Sequence, residues 1–141
     1  MSRGITLTVL PLLLAASTFG APQTPASAKA VPRSTVRAVA PEELDVALKG
    51  GKWLIVEFGG EHCIPCMQMQ PVLQDLQVAL GNKARVHNFW IQQHPDVARA
   101  HRIMVMPTQI VFNPDGKEVF RHMGYFPPDE FQATLQKLGI L

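Results

Sequence analysis

Residues 53–66 read Trp53-Leu54-Ile55-Val56-Glu57-Phe58-Gly59-Gly60-Glu61-His62-Cys63-Ile64-Pro65-Cys66, and this stretch decides the fold. Its first six residues are almost continuously apolar, as expected of a strand buried on both faces. Gly59-Gly60 breaks the run. Further on, Met69, Val72, Leu73, Leu76 and Leu80 recur at helical spacing, which predicts a helix over 63–80 that stops at Gly81-Asn82. Pro71 lies inside that helix and should kink it. A Cys-x-x-Cys pair thus stands where a buried strand hands over to a helix. Four letters alone are weak evidence of redox chemistry; at this junction they are strong evidence.

Working outward, Pro41-Glu42-Glu43-Leu44 opens a short helix carrying Leu44, Val46 and Leu48, because proline suits the first helical position and acids suit the dipole. Gly50-Gly51 ends it. Downstream, 84–91 reads as a second buried strand whose Trp90 belongs to the core, 95–101 as a short helix and 108–112 as a third strand. Asn113-Pro114-Asp115-Gly116 is a turn signal, and 118–122 is the returning strand of a hairpin. Pro127-Pro128-Asp129-Glu130 starts a last helix with Phe131, Leu135 and Leu138 on its inner face. The first two strands should be parallel through a right-handed crossover, with antiparallel strands added by the hairpin. The predicted class is α/β, a central mixed β-sheet with helices on both faces.

The N-terminus is a different kind of sequence. Over residues 1–28 the only charge is Arg3, followed by an apolar stretch with Leu7, Val9, Leu10, Leu12, Leu13 and Leu14, and then by small residues. That describes a secretory signal peptide, with Ala21 and Ala28 both suited to precede the cleavage point. Its alternative is a retained N-terminal anchor, although the run is short against the ~20 apolar residues of a spanning helix and Pro11 interrupts it. Residues 29–35 read as a flexible linker and 36–141 as the folded domain. Of the net charge of +2, Arg3 contributes one unit, and no basic run forms a phosphate-tracking stripe, so no nucleic-acid partner is expected. Export would place the chain where disulfides persist. Its two cysteines lie three apart, and so small a loop would stabilise a fold weakly. A reactive pair is the better reading.

Physics assigns the two sulfurs unequal roles. Cys63 falls at the helix start, where unpaired amides and the dipole favour an anion, and the thiolate is what attacks a disulfide. Cys66 lies one turn in and should be buried, which disfavours its anion and suits it to resolve a mixed disulfide. Pro65 stiffens the loop between them, and its missing N–H costs nothing in a first helical turn.

The chain resembles thioredoxins from Trp53 to Leu138, and more loosely from Val36. The resemblance rests on separated features: Val56-Glu57-Phe58 before Cys63-Ile64-Pro65-Cys66, Pro71 five residues after the second cysteine, Met106-Pro107-Thr108, and Asp115-Gly116 with the later Gly124. It implies the thioredoxin fold and a thiol–disulfide oxidoreductase. Cys63 and Cys66 would be its catalytic pair, and Glu57 the buried acid that exchanges a proton with Cys66. Pro107 would be a cis-proline facing Cys63, with Met106, Ile64 and Pro65 also meeting substrate. The implied activity is reduction of protein disulfides outside the cytoplasm, in a bacterial periplasm, with electrons from a membrane thiol carrier. Oxidase and isomerase directions stay open. The domain should be a monomer, with no cofactor and no assigned metal ligands.

Departures from the family pattern bear on substrate choice and potential. His62 replaces the Trp before the first cysteine, Ile64 the following Gly, Gly59 the Trp of the strand-end loop, and Asn88 the Lys that often pairs with the buried acid. His62, when protonated, would favour the Cys63 thiolate; equally it reads as a solvated loop residue. Met67, Met69, Met104, Met106 and Met123 support a rival, a Cu(I)-binding metallochaperone on the same fold, since soft thioether and thiolate ligands suit that ion. Against it, methionines commonly fill cores or make adaptable surfaces. His94 and His101, flanking the short third helix, read as solvated.

Overall fold

The structure, a computed structural model, describes Met1 and residues 36–141 of the chain. The expected leader over 1–28 and the linker over 29–35 lie outside the described residues, apart from Met1. Among the described residues four strands, β1 (Trp53–Gly59), β2 (Ala84–Trp90), β3 (Thr108–Phe112) and β4 (Glu118–Met123), form one sheet in the order β2-β1-β3-β4. β1 pairs with β2 in parallel and with β3 antiparallel, and β3 pairs with β4 antiparallel. Among the described residues four helices accompany them: α1 (Pro41–Leu48), α2 (Ile64–Leu80), α3 (Pro95–Ala100) and α4 (Pro128–Lys137). α2 is the crossover that parallel pairing of β1 with β2 demands.

Strand alternation sorts the core into two layers. Leu54, Val56 and Phe58 of β1 face one way and pack with Leu44 and Ala47 of α1 and with Phe89, Ile110 and Phe112. Ile55 faces the other way, with Val86 and Val111, against Met69, Val72, Leu73, Leu76 and Leu80 of α2 and Phe131 and Leu135 of α4. Helices therefore cover both faces, as the sequence predicts. α2 passes through Pro71 as one helix. In α1 the buried partner of Leu44 is Ala47, and Val46 is exposed, because the helix turns Leu44 and Ala47 to the same side.

The hairpin turn forms where expected. Asn113 Oδ1 accepts from the backbone N–H of Asp115 at 3.1 Å and of Lys117 at 2.9 Å. Gly116 completes it at φ 74°, and a side chain there would meet the Leu48 carbonyl oxygen at 2.6 Å. The segment leading into α1 lies along the free edge of β2: Val39 N–H donates to Asn88 O, and Asn88 N–H to Arg37 O. No helix among the described residues is long and apolar enough to cross a membrane.

Candidate active site

Antiparallel pairing brings two loops to one end of the sheet. Phe58 of β1 stands opposite Thr108 of β3, so the loop leaving β1 and the loop entering β3 share that end. The first carries Cys63 and the second Met106 and Pro107, joined by a cis peptide bond. β4 arrives there too: Met123 pairs with Thr108, and Gly124 N–H donates to Pro107 O at 2.7 Å.

Cys63 is the N-cap of α2, so the helix begins at Ile64, one residue later than the sequence predicts. Its Sγ accepts from the Cys66 backbone N–H at 3.3 Å, one of the donors a helix start leaves unpaired. The two cysteines are joined as a disulfide with Cα atoms 5.2 Å apart. Their surroundings differ: Cys63 is partly accessible, whereas Cys66 is 1% exposed.

Glu57 is wholly buried on the same side of β1 as Gly59, two residues on. Gly59 keeps open the space between this carboxyl and the second cysteine. A Cβ built on it would lie 3.0 Å from Cys66 Sγ and 3.4 Å from Glu57 Oε1. That oxygen is buried without a hydrogen-bond partner. The other, Oε2, accepts from Gln109 Nε2 at 3.4 Å. Burial pushes the Glu57 carboxyl up to about 8, and the Gln109 donor offsets only part of that rise.

The comparisons agree with this geometry. Residues 40–139 match the sequence profile of the thioredoxin-like domain. The chain belongs to that family. A thioredoxin of Alicyclobacillus acidocaldarius is 33% identical over 89 residues, 63% of this chain and 84% of that protein. A Staphylococcus aureus thioredoxin is 31% identical over 83 residues, 59% of this chain and 79% of that protein. Among solved structures, chloroplastic thioredoxin z superposes with a TM-score of 0.67 at 22% identity, covering 75% of this chain and 96% of that one. Plasmodium falciparum thioredoxin gives 0.65 at 20% identity, covering 73% and 98%. At such identities the structures establish the thioredoxin fold, and the thiol–disulfide oxidoreductase family follows from the sequence matches together with the paired cysteines.

Within this thioredoxin-like domain the other singled-out residues take distinct places. Ile64 is exposed beside Cys63, Pro65 is half-buried, Met106 is half-buried and Pro107 is buried. His62 and Glu61 are exposed. Met69 belongs to the core, where its sulfur accepts from Phe126 N–H at 3.3 Å, while Met67, Met104 and Met123 are exposed. Two expectations need correction. Trp90 is not a core residue: it ends β2 half-buried and lines a groove of about 430 Å³ that also touches Cys66, Met67, Gly60 and Gln70. His94 and His101 are half-buried: the His94 ring packs 5.4 Å from Phe89, and the ring of His101 packs 5.1 Å from Phe58 and 5.8 Å from Phe112. Burial holds His101 below the usual histidine range. Gln109 is a functional candidate that the structure adds: in sequence it is a lone amide before the apolar run Ile110–Phe112, and in the fold it has no exposed surface.

Proposed function

We propose that this domain reduces disulfide bonds of exported proteins. The asymmetry of the cysteine pair carries the reading: an accessible sulfur capping a helix start, and a buried one a single turn below it. A helix start favours the Cys63 thiolate, which attacks a substrate disulfide and forms a mixed disulfide. Burial keeps Cys66 protonated until Glu57 takes its proton. Cys66 then attacks Cys63 Sγ, the substrate sulfur leaves as thiolate, and the Cys63–Cys66 bond forms. The substrate gains two electrons and the pair loses them.

An extended substrate segment would lie along Met106, where Pro107 brings no N–H of its own. Ile64 and Pro65 border that path. Exposed Met67, Met104, Val105, Met123 and Tyr125 lie on the elements that meet at this end of the sheet, and thioethers adapt to varied apolar partners. The apolar N-terminal stretch supports export to a periplasm, as a cleaved leader or a retained anchor, with a membrane thiol carrier regenerating the dithiol. The folded domain acts as a monomer. The test is reduction of insulin by the dithiol form. Cys63→Ser should abolish turnover, and Cys66→Ala should accumulate a mixed disulfide that mass spectrometry detects. Tight Cu(I) binding with no disulfide reduction would overturn the proposal in favour of metal delivery, and a redox potential near that of strong oxidants would reverse its direction.

A further inference from the structure

Three buried polar residues stand side by side across the centre of the sheet. Glu57 on β1 pairs in register with Asn88 on β2 and with Gln109 on β3. None has exposed surface, and they continue the sheet face made by Ile55, Val86 and Val111. A row of polar side chains in a core is costly unless its members satisfy one another. This row does so incompletely. One direct bond joins it, from Gln109 Nε2 to Glu57 Oε2. Glu57 Oε1, Asn88 Oδ1 and Gln109 Oε1 all stay buried without partners. A network serving stability alone would have closed these valences or been apolar.

The two amides differ in freedom. Asn88 Nδ2 is committed to the Val36 carbonyl and, at 2.9 Å, to Gln70 Oε1. Gln109 makes no such outside bond: its Nε2 meets Glu57 and its Oε1 meets nothing. A terminal carboxamide has a two-fold torsion, so one half-turn exchanges donor for acceptor.

From this geometry we infer that Gln109 is a positioning residue for proton exchange between Cys66 and Glu57, its carboxamide following the charge of the acid. It donates through Nε2 when Glu57 is a carboxylate. Turned over, it accepts through Oε1 when Glu57 is a carboxylic acid. The inference rests on the proposed role of Glu57. In the step itself the Cys66 S–H proton passes to the Glu57 carboxylate, Cys66 Sγ bonds to Cys63 Sγ, and the bond from Cys63 to substrate sulfur breaks. Gln109 gains and loses no proton; it keeps both states of the buried acid hydrogen-bonded.

The experiment replaces Gln109 with side chains of similar size that neither donate nor accept, Gln109→Leu and Gln109→Met, so that one remains if the other fails to fold. With Glu57 labelled at its carboxyl carbon, NMR titration of the oxidised protein isolates the acid, since a disulfide does not titrate. The bond to the carboxylate is stronger than the bond to the acid, so losing both should move the Glu57 midpoint upward by about half to one pH unit. The pH at which single-turnover resolution is half-maximal should rise in parallel, with the first attack by Cys63 unaltered. A purely structural Gln109 would lower the melting temperature and leave both midpoints in place. Glu57→Gln separates the two failures. If it leaves the pH profile of resolution unchanged, the role of Glu57 falls and the inference with it. If it flattens that profile while both Gln109 variants titrate as wild type, the inference alone is overturned.

Discussion

Alternate residues of β1 build the two faces of the sheet, and the faces differ. Leu54, Val56 and Phe58 make a surface toward α1 and α3 that is apolar along the strand, continued by Phe89, Ile110 and Phe112. Ile55 begins the opposite face in the same manner, but the next positions are Glu57 and Gly59, and the neighbouring strands answer with Asn88 and Gln109. Both faces are buried. Only the second buries a carboxyl flanked by two carboxamides, and it does so at the end of the sheet where α2 sets Cys66. A fold selected for stability alone would have continued with isoleucine and valine. The redox site is thus a local exception inside an otherwise regular core, and two faces of one strand allow its cost to be measured against an internal control.

The largest effect should come from breaking the regular face. Phe58 is fully buried, with its ring 5.7 Å from that of Phe89 and 5.1 Å from that of His101. Phe58→Ala removes a large side chain from a site that cannot collapse around the loss, so urea denaturation should show about 3–5 kcal/mol less stability. On the site face the sign reverses. Glu57→Gln removes a buried acid whose folded pKa, about 8, stands above its unfolded value of 4.5. Between those values the folded chain holds the proton more tightly than the unfolded one. Stability from this group is therefore full below about pH 4.5 and is lost as pH rises toward 8. At pH 9 the variant should be more stable than wild type by about 2–4 kcal/mol, with the gain vanishing near pH 4. Its resolving step should slow at least about tenfold. A variant that loses stability at pH 9 would show that Glu57 supports the core and that the faces do not differ as argued.

The sequence carries the regular part of this architecture and much of the site. An almost continuous apolar run marks β1, helical spacing marks α2, and the cysteines at the junction of β1 with α2 mark the chemistry. What it hides is set by long-range contact. Gln109 looks like any polar residue in a strand until β3 pairs with β1 and leaves it opposite Glu57. Trp90 looks like core because tryptophan in a strand usually is, yet at the last position of β2 it meets a groove. The histidines beside α3 look solvated because that helix buries no residue of its own. Their rings do the packing instead, His94 against Phe89 at 5.4 Å and His101 against Phe58. No local pattern reports a helix held by residues just beyond its ends.

That arrangement yields the smallest of the expected effects, and one that sharpens the contrast between the faces. His101 and His87 both lie on the side of α1 and α3, and burial is the main cause that lowers each. Around His101, Arg121 also lowers it, while Glu118 and Asp45 pull the other way. A histidine with a folded pKa below its unfolded value takes up its proton more readily in the unfolded chain. Stability is then complete above the unfolded pKa, near 6.5, and falls as pH drops through the folded one. His101→Phe keeps a ring against Phe58 and Phe112 and removes the titrating nitrogens, so it should reduce the acid-side loss of melting temperature by less than about 5 °C. His87 should sustain the remaining slope. Acid therefore weakens the regular face, and rising pH weakens the site face. His101→Phe should alter the slope only below about pH 6.5, and Glu57→Gln the slope from about pH 4.5 to 8, so their effects overlap between pH 4.5 and 6.5. A double variant whose pH profile departs from the sum of the two single ones would mean the faces respond as one core, because residues that titrate independently add without coupling.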